Sequence, residues 1–574
     1  MSRGMSRLPF LVLLACVVLA GCSQAMPSIG GSAPQEGRSG PKRVVAAIQD
    51  DPHTVFQKLN PASRVRGVDA LEFLVDSGLT VLGADGGRRA VIAEAVPTAE
   101  NGLWKVFSDG TMETTWKIKP GVQWHDGVPF TSDDLLFTLE VARDADLAIF
   151  RENGYAFLAD AAAPDPATIT VRWKQPYIDA DTLFSSSLAL PIAKHSLEQA
   201  YREKVAETDF IGNSYWSTDF VGTGPFKLKD WERSSHLTVA ANDKYVLGRP
   251  QLDEIEVRFI SDANTLMANV LAGSVEVIIG RSLSGPQAVQ VRDTWTEGRM
   301  AVSYDNWLAQ YPQFINPTPA IIANLQFRRA AVEAINRQQL ADVLLPGQSA
   351  VADSWLYPNQ PLYKDIEARE VTHYPYDPRQ AAQMLEGLGY TRGADGILRD
   401  SSGQKLTVEA RTTAGDDLRE KMIYSIIDDW KAVGIESTTN IVPRQLADDL
   451  EYRATFPSFE LVRNPNDLRG IASLHSRNTA GPENQFRVTG NRSRYQSPEL
   501  DSLVDKYLVT IPMQERLQVL SQIVRHISQN LNIMGIIYNS SPTLISNRLI
   551  NVSGGGGGGG SANQTWNAHE WDVR

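Results

Sequence analysis

The stretch VQWHDGVPFTSDD, Val122–Asp134, sets His125 close to three aspartates, Asp126, Asp133 and Asp134. An imidazole among carboxylates is the raw material for two chemistries. One is metal ligation through nitrogen and oxygen donors; the other is proton transfer by a histidine tuned by its neighbours. The flanking pattern argues for a third role. METTWKIKPGVQWHDG alternates around Trp116, Ile118, Val122 and Trp124, which predicts a half-buried strand. Asp-Gly pairs at Asp109-Gly110 and Asp126-Gly127 read as turns. From Pro129 the period changes. Thr131 or Ser132 can cap a helix, Asp133 and Asp134 fall in its first turn, and Leu135, Leu136, Leu139 and Ala142 supply an apolar face. Asp126 is then a turn residue, the other two aspartates are helix-start residues, and His125 is a single histidine beside a turn. The expectation is scaffold, not chemistry.

No other catalytic signature takes its place. The eight histidines are scattered, and no H-E-x-x-H, G-x-S-x-G or G-x-x-x-x-G-K-[ST] occurs. The nearest approach to a nucleophile elbow, GRSLSG, has one residue too many. With 67 carboxylates in the chain, a glycosidase pair cannot be found by counting. No metal site and no cofactor loop is expected.

The chain has 574 residues and a formal charge of -12. That length allows several cores, and the acidic balance argues against a nucleic-acid partner, which requires clustered Lys and Arg. Arg3 and Arg7 precede the apolar run LPFLVLLACVVLAGC, Leu8–Cys22. A basic start before a short apolar run is a secretory signal, and the run falls short of the ~20 residues a membrane span needs. Leu19-Ala20-Gly21-Cys22 resembles the bacterial lipobox, which would make Cys22 the lipidated first residue of the mature chain. The only cysteines are Cys16 and Cys22, so the folded part would hold no disulfide, catalytic thiol or Cys-ligated zinc.

Residues 23–42 are rich in Gly, Ser and Pro and read as a tether. The fold should begin with the strand RVVAAI at Arg43. Beyond it, HLTVAANDKYV and LDEIEVRFI read as strands around a turn, and DANTLMANVLAGSVEVII as helix, glycine stop and strand. LQFRRAAVEAINRQQLADVL reads as one long amphipathic helix. DPRQAAQMLEGLGY is a short helix closed by Gly389, GQKLTVEART a strand, and DDLREKMIYSIIDDWKAVGI a helix leading into a β-prone segment. This alternation predicts mixed α/β architecture. Gly554–Gly560 is a glycine run expected to be a flexible loop.

Several stretches together resemble one family: the extracellular solute-binding proteins of the peptide/nickel-binding type, family 5, receptor components of ABC importers. They include TWKIKPGVQWHDGVPFTSDDLLFTLEVARD, VGTGPFKLKDWERSSHLTVAANDKYVLGRPQLDEIEVRFISDANTLMANVLAGSVEVI, FRRAAVEAINRQQL and YPYDPRQAAQMLEGLGY, in the family's order. The resemblance implies a two-lobed, periplasmic-binding-protein-like α/β fold. The first lobe would comprise residues 43–302 and a return segment 525–574, the second residues 303–524, with ligand held between them by hinge closure. It further implies a monomer without cofactor that delivers its solute to a membrane permease energised by a separate ATPase.

Three segments are candidate ligand contacts. Asp51 and His53 lie in the loop after the first strand. Trp307, Tyr311 and Phe314 offer aromatic area in SYDNWLAQYPQFINP. Peptide-binding relatives often carry a Trp-x-x-Asp-like stretch whose aspartate grips the ligand's ammonium. The matching FELVRNPNDLRG lacks the tryptophan and puts Asn464 or Asp467 near the acid's place, with Arg463 and Arg469 beside them. Asp467 in that role favours peptide; Asn464 opens the site to a sugar, an anion or another small solute. A secreted hydrolase, or a sensor or chaperone on the same scaffold, is the alternative of another class.

Overall fold

The computed structural model describes residues 40–60, 65–147, 153–188, 190–280, 283–358, 360, 362–447, 449–464, 468–486, 491–554 and 563–574. Cys22, the tether to residue 39, Asp467 and glycines 555–560 lie outside that set.

The first strand, β1 (Arg43–Ile48), alternates its side chains between two cores. The chain continues into helix α1 (Val68–Val75). A small antiparallel sheet follows, built from β2 (Trp104–Val106), β3 (Met112–Lys117), β4 (Leu158–Asp165) and β5 (Thr168–Trp173) in the order β2-β3-β5-β4. Helix α2 (Ser132–Ala142) sits between β3 and β4, and starts where the sequence pattern changes period. The antiparallel trio β6 (Phe226–Glu232), β7 (His236–Ala241) and β8 (Glu254–Phe259) leads to α3 (Ala263–Leu271) and the short strand β9 (Val277–Ile278).

Strand β10 (Gly298–Pro312) is unusually long. After it come α4 (Leu325–Glu333) and α5 (Arg337–Leu344), two helices where the period suggests one. The break has a local cause. The Asn336 side chain accepts the Gln339 N–H at 3.1 Å, capping a new helix, as an asparagine at this position does readily. Strand β11 (Thr407–Thr413), helix α6 (Asp417–Ala432), and strands β12 (Glu436–Val442) and β13 (Phe459–Asn464) follow. Helix α7 (Met513–Asn530) then feeds the second long strand, β14 (Met534–Ser546). The lobe boundaries expected at 302/303 and 524/525 thus fall inside continuous elements, β10 and α7.

Ten strands form one sheet in the order β12-β11-β13-β10-β14-β9-β1-β8-β7-β6. Its centre is the antiparallel ladder of β10 with β14, running from Gly298↔Ser546 to Gln310↔Met534, with irregularities between Tyr304 and Asn306 and between Leu308 and Ala309. The second half of β10 carries β13, whose side chains divide between two cores: Phe459 and Leu461 pack with Leu308, Trp430 and Ile537 on one face, and Val462 with Trp307 and Ala309 on the other.

Candidate ligand-binding cleft

Register alone picks out a candidate region. β9 runs antiparallel to β14 and pairs with its far end, Val277↔Ile545. β1 is parallel to β9, and β8 is parallel to β1, so the carboxyl ends of all three point back toward the middle of β14. On the other side of the ladder β13 is antiparallel to β10, Phe459↔Pro312 to Trp307↔Asn464, and β11 and β12 are parallel to β13 and to one another. Their carboxyl ends point toward the middle of β10. The two sets converge on one stretch of the ladder, about residues 303–306 and 539–543. Open α/β sheets take ligands outside the carboxyl ends of their parallel strands, where connections diverge to opposite faces. β1 and β8 meet that condition: α1 packs Leu71 and Leu74 in one core with Val44 and Ala46, while α3 packs Leu266 and Val270 in another with Ala47 and Ile278.

The ladder midspan is rich in small polar side chains. Ser303, Asn539, Ser540, Ser541 and Thr543 are all buried. The Ser540 hydroxyl and the Asn306 Oδ1 have no partner among the described residues, which is uncommon for buried polar atoms and calls for an explanation.

At the carboxyl ends of β1 and β8 lies a hollow of about 410 Å³, lined among others by Gln49, Asp50, Asp51 and His53 from the segment after β1, by Phe259 at the end of β8 and by Ser261 just beyond it. Asp51 is a brace: its carboxylate accepts the Ser234 N–H at 2.8 Å and the Trp231 Nε1–H at 3.1 Å, and pairs with Arg233 at 3.4 Å. His53 is exposed. Asp50 is exposed and has no hydrogen bond or ion pair among the described residues. No local motif marks it; only the hollow does.

The remaining expected contacts are distributed differently. Trp307 is 1% exposed and edge-packed on Trp355 at 5.5 Å; Tyr311 is equally buried. Both are core side chains of β10. Phe314 packs on Tyr495 at 4.8 Å with the Arg328 guanidinium 4.7 Å over its ring. Arg463 pairs at 3.0 Å with Asp416, which also caps α6. Asn464 stands opposite Trp307 on the last rung of β13. Behind these lies a buried ion cluster: Glu460 bonds Arg492 at 2.7 Å and faces Arg411 at 3.5 Å, all three nearly inaccessible. Sequence pattern gave no sign of it, because pairing across strands is set by register.

The His125 stretch is structural in detail. The Gly222 N–H donates to His125 Nδ1 at 3.3 Å, so the ring proton sits on Nε2, which donates to the Gly224 carbonyl at 3.1 Å. Burial pushes the imidazole down to about 4, despite the Gly224 carbonyl. The two glycines of GTGP have a reason to be glycine: a Cβ on Gly222 or Gly224 would lie 2.1 Å or 2.3 Å from the Val75 backbone. Asp126 pairs with His195 at 2.7 Å. Asp134 accepts the Thr131 N–H at 2.9 Å and the Lys194 N–H at 3.1 Å. The WHDG and GTGP segments thus clamp each other. Among the described residues no group of three or more His, Cys, Asp or Glu side chains could hold a metal ion, and no helix is long and apolar enough to cross a membrane.

Comparison with known proteins agrees with this architecture. The model of the bacterial extracellular solute-binding proteins, family 5, matches residues 96–482, and the chain belongs to that family. It is 30% identical over 347 residues to the oligopeptide-binding protein AppA of Bacillus subtilis; the match covers 58% of this chain and 59% of the relative. The chain thus spans under two thirds of the length of that curated relative. The fold is that of AppA in complex with a nonapeptide (TM-score 0.63, 22% identity, covering 93% of this chain and 100% of that one). It is also that of a Thermotoga maritima periplasmic oligopeptide-binding protein (TM-score 0.73, 18% identity, 93% and 99% covered) and of NikZ from Campylobacter jejuni in complex with Ni(L-His) (TM-score 0.65, 18% identity, 92% and 99% covered). The shared class is a two-lobed α/β solute-binding protein.

Proposed function

We propose that this chain is the extracytoplasmic receptor of an ABC-type importer and that its solute is a peptide. The ligand lies where the carboxyl ends of β1 and β8 on one side and β11 and β13 on the other converge on the polar midspan of the β10–β14 ladder. That convergence is the observation that carries the reading, and the oligopeptide-binding names of the relatives supply the ligand class. The lobes close by bending about β10 and β14, the strands common to both, and the register irregularity at Tyr304/Asn306 lies within this midspan. Closure excludes water and strengthens polar contacts to the ligand. Cys22 carries the lipid anchor. A permease with its own ATPase subunits accepts the closed form, and this chain breaks no bond.

A thermal-shift panel of short peptides, sugars and metal chelates tests this. A ligand that binds only the folded state at a hundredfold excess over its Kd stabilises it by about 2.7 kcal/mol. A rise in Tm with peptides is the expected result. A rise with sugars or chelates and none with peptides overturns the ligand class.

A further inference from the structure

The ion cluster at the start of β13 carries more positive charge than its carboxylate offsets. Glu460 lies four residues, about 13 Å, back from the strand's carboxyl end at Asn464, which points to the candidate cleft. The cluster is therefore no part of that cleft. One carboxylate serves two guanidiniums: Glu460 accepts the Arg492 Nε–H at 2.7 Å and faces Arg411 at 3.5 Å. The side chains of Glu460, Arg492 and Arg411 are 3%, 6% and 2% exposed, so water compensates little of the remaining charge. Donors are in excess as well. Arg411 gives its terminal N–H groups to the Tyr452 and Arg453 carbonyls at 3.1 and 2.7 Å, with its guanidinium over the rings of Tyr452 and Phe456. Its Nε is buried without a partner. Arg492 bonds through Nε, and its two terminal nitrogens have no acceptor among the described residues. Glu409, the other carboxylate nearby, is half-buried and accepts the Asn440 amide instead. Burial holds the Arg411 guanidinium below its ordinary value in spite of Glu460 and Glu409, and Arg492 pushes it the same way.

We propose that a small monovalent anion such as chloride completes this cluster, accepting hydrogen bonds from the free terminal N–H groups of Arg492. Charged donors of this kind make the stronger hydrogen bonds to anions. One negative charge balances two cations against one carboxylate, and the near-complete enclosure favours a single small ion over a larger, more highly charged oxyanion. The role is structural. The next residue, Ser493, accepts the Phe314 N–H at 3.0 Å and donates its hydroxyl to the Asn532 carbonyl at 2.7 Å. The anion thus ties β11 and β13 to the segment that holds the chain just beyond β10, and stability responds to chloride.

The test is scanning calorimetry of the full-length chain in detergent, as wild type and Arg492→Met, in sodium chloride and in sodium gluconate at equal concentrations. Methionine fills much of the space and leaves one cation against one carboxylate. Wild type should melt higher in chloride, in a saturable way, by about 1–2 °C at about ten times the Kd. Arg492→Met should show no such difference. Equal melting of wild type in the two salts, or the same difference in both proteins, overturns the proposal. If Arg492→Met does not fold, bromide-soaked crystals of wild type decide. An anomalous peak within hydrogen-bond reach of the Arg492 terminal nitrogens upholds the site, and the absence of one overturns it.

Discussion

His125 makes the sharpest quantitative prediction, because burial disfavours its charged form and two backbone groups fix the tautomer of its neutral form. Gly222 offers it a donor and Gly224 an acceptor. A doubly protonated ring has two donors and loses the first bond, inside a site that is 9% exposed. Its pKa falls from 6.5 to about 4. The folded pKa is depressed, so the contribution is fully present above pH 6.5 and is lost as pH falls toward 4. The total loss is about 3 kcal/mol, of which about 2 kcal/mol is gone by pH 5. The assay compares urea unfolding midpoints of wild type and His125→Gln from pH 7.5 to pH 5. Glutamine cannot titrate in this range, and every other ionisable group is common to both proteins. The advantage of wild type over the variant should shrink by about 2 kcal/mol on going to pH 5. A difference that stays constant across the range refutes the tautomer and the clamp inferred from it.

Three further outcomes are expected. Glu72 is buried in α1 and its carboxyl is raised from 4.5 to about 8, by burial first and against the bond from the Gln57 N–H, with Asp76, Lys58 and Asp69 nearby. A raised folded pKa gives stability that is full below pH 4.5 and lost as pH rises through 8, so Glu72→Gln should melt higher than wild type at pH 9 and nearly alike at pH 5, read by calorimetry. Glu460→Ala strands Arg411 and Arg492 in the interior and should cost about 3–5 kcal/mol in chemical denaturation, far more than an exposed pair. Asp51→Ala removes the acceptor of the Ser234 and Trp231 N–H groups; it should cost about 1–2 kcal/mol and speed amide exchange at Ser234.

Much of the framework was legible in the sequence, and for physical reasons. The alternation through Trp116 and the capping residues from Thr131 onward encode β3 and α2 locally, and the strand–helix–strand run through Gly273 encodes α3 and β9 with its turn. The α4–α5 break was not read. An apolar period that continues across Ala334 and Ile335 outweighs a single asparagine in pattern, although Asn336 is itself a cap signal. The hollow at the carboxyl ends of β1 and β8 was legible only in part. Asp51 and His53 are placed beside it by the position of the first strand, whereas no local signal marks Asp50 and only the register of several strands brings their ends toward one stretch of the ladder. The aromatic segment shows the opposite limit. Aromatic side chains spaced for a ligand surface are equally spaced for a strand core, and Trp307 and Tyr311 sit in the core because their face of β10 is covered by other side chains, Trp355 and Val462 among them.

Hydrogen–deuterium exchange with and without a saturating peptide tests the central claim most directly. The account predicts that peptide slows exchange together in residues 49–53, 260–262 and 414–416 and in the ladder midspan near 303–306 and 539–543, because ligand and closure cover all of them at once. Protection confined to a different surface, with these segments unchanged, would contradict it.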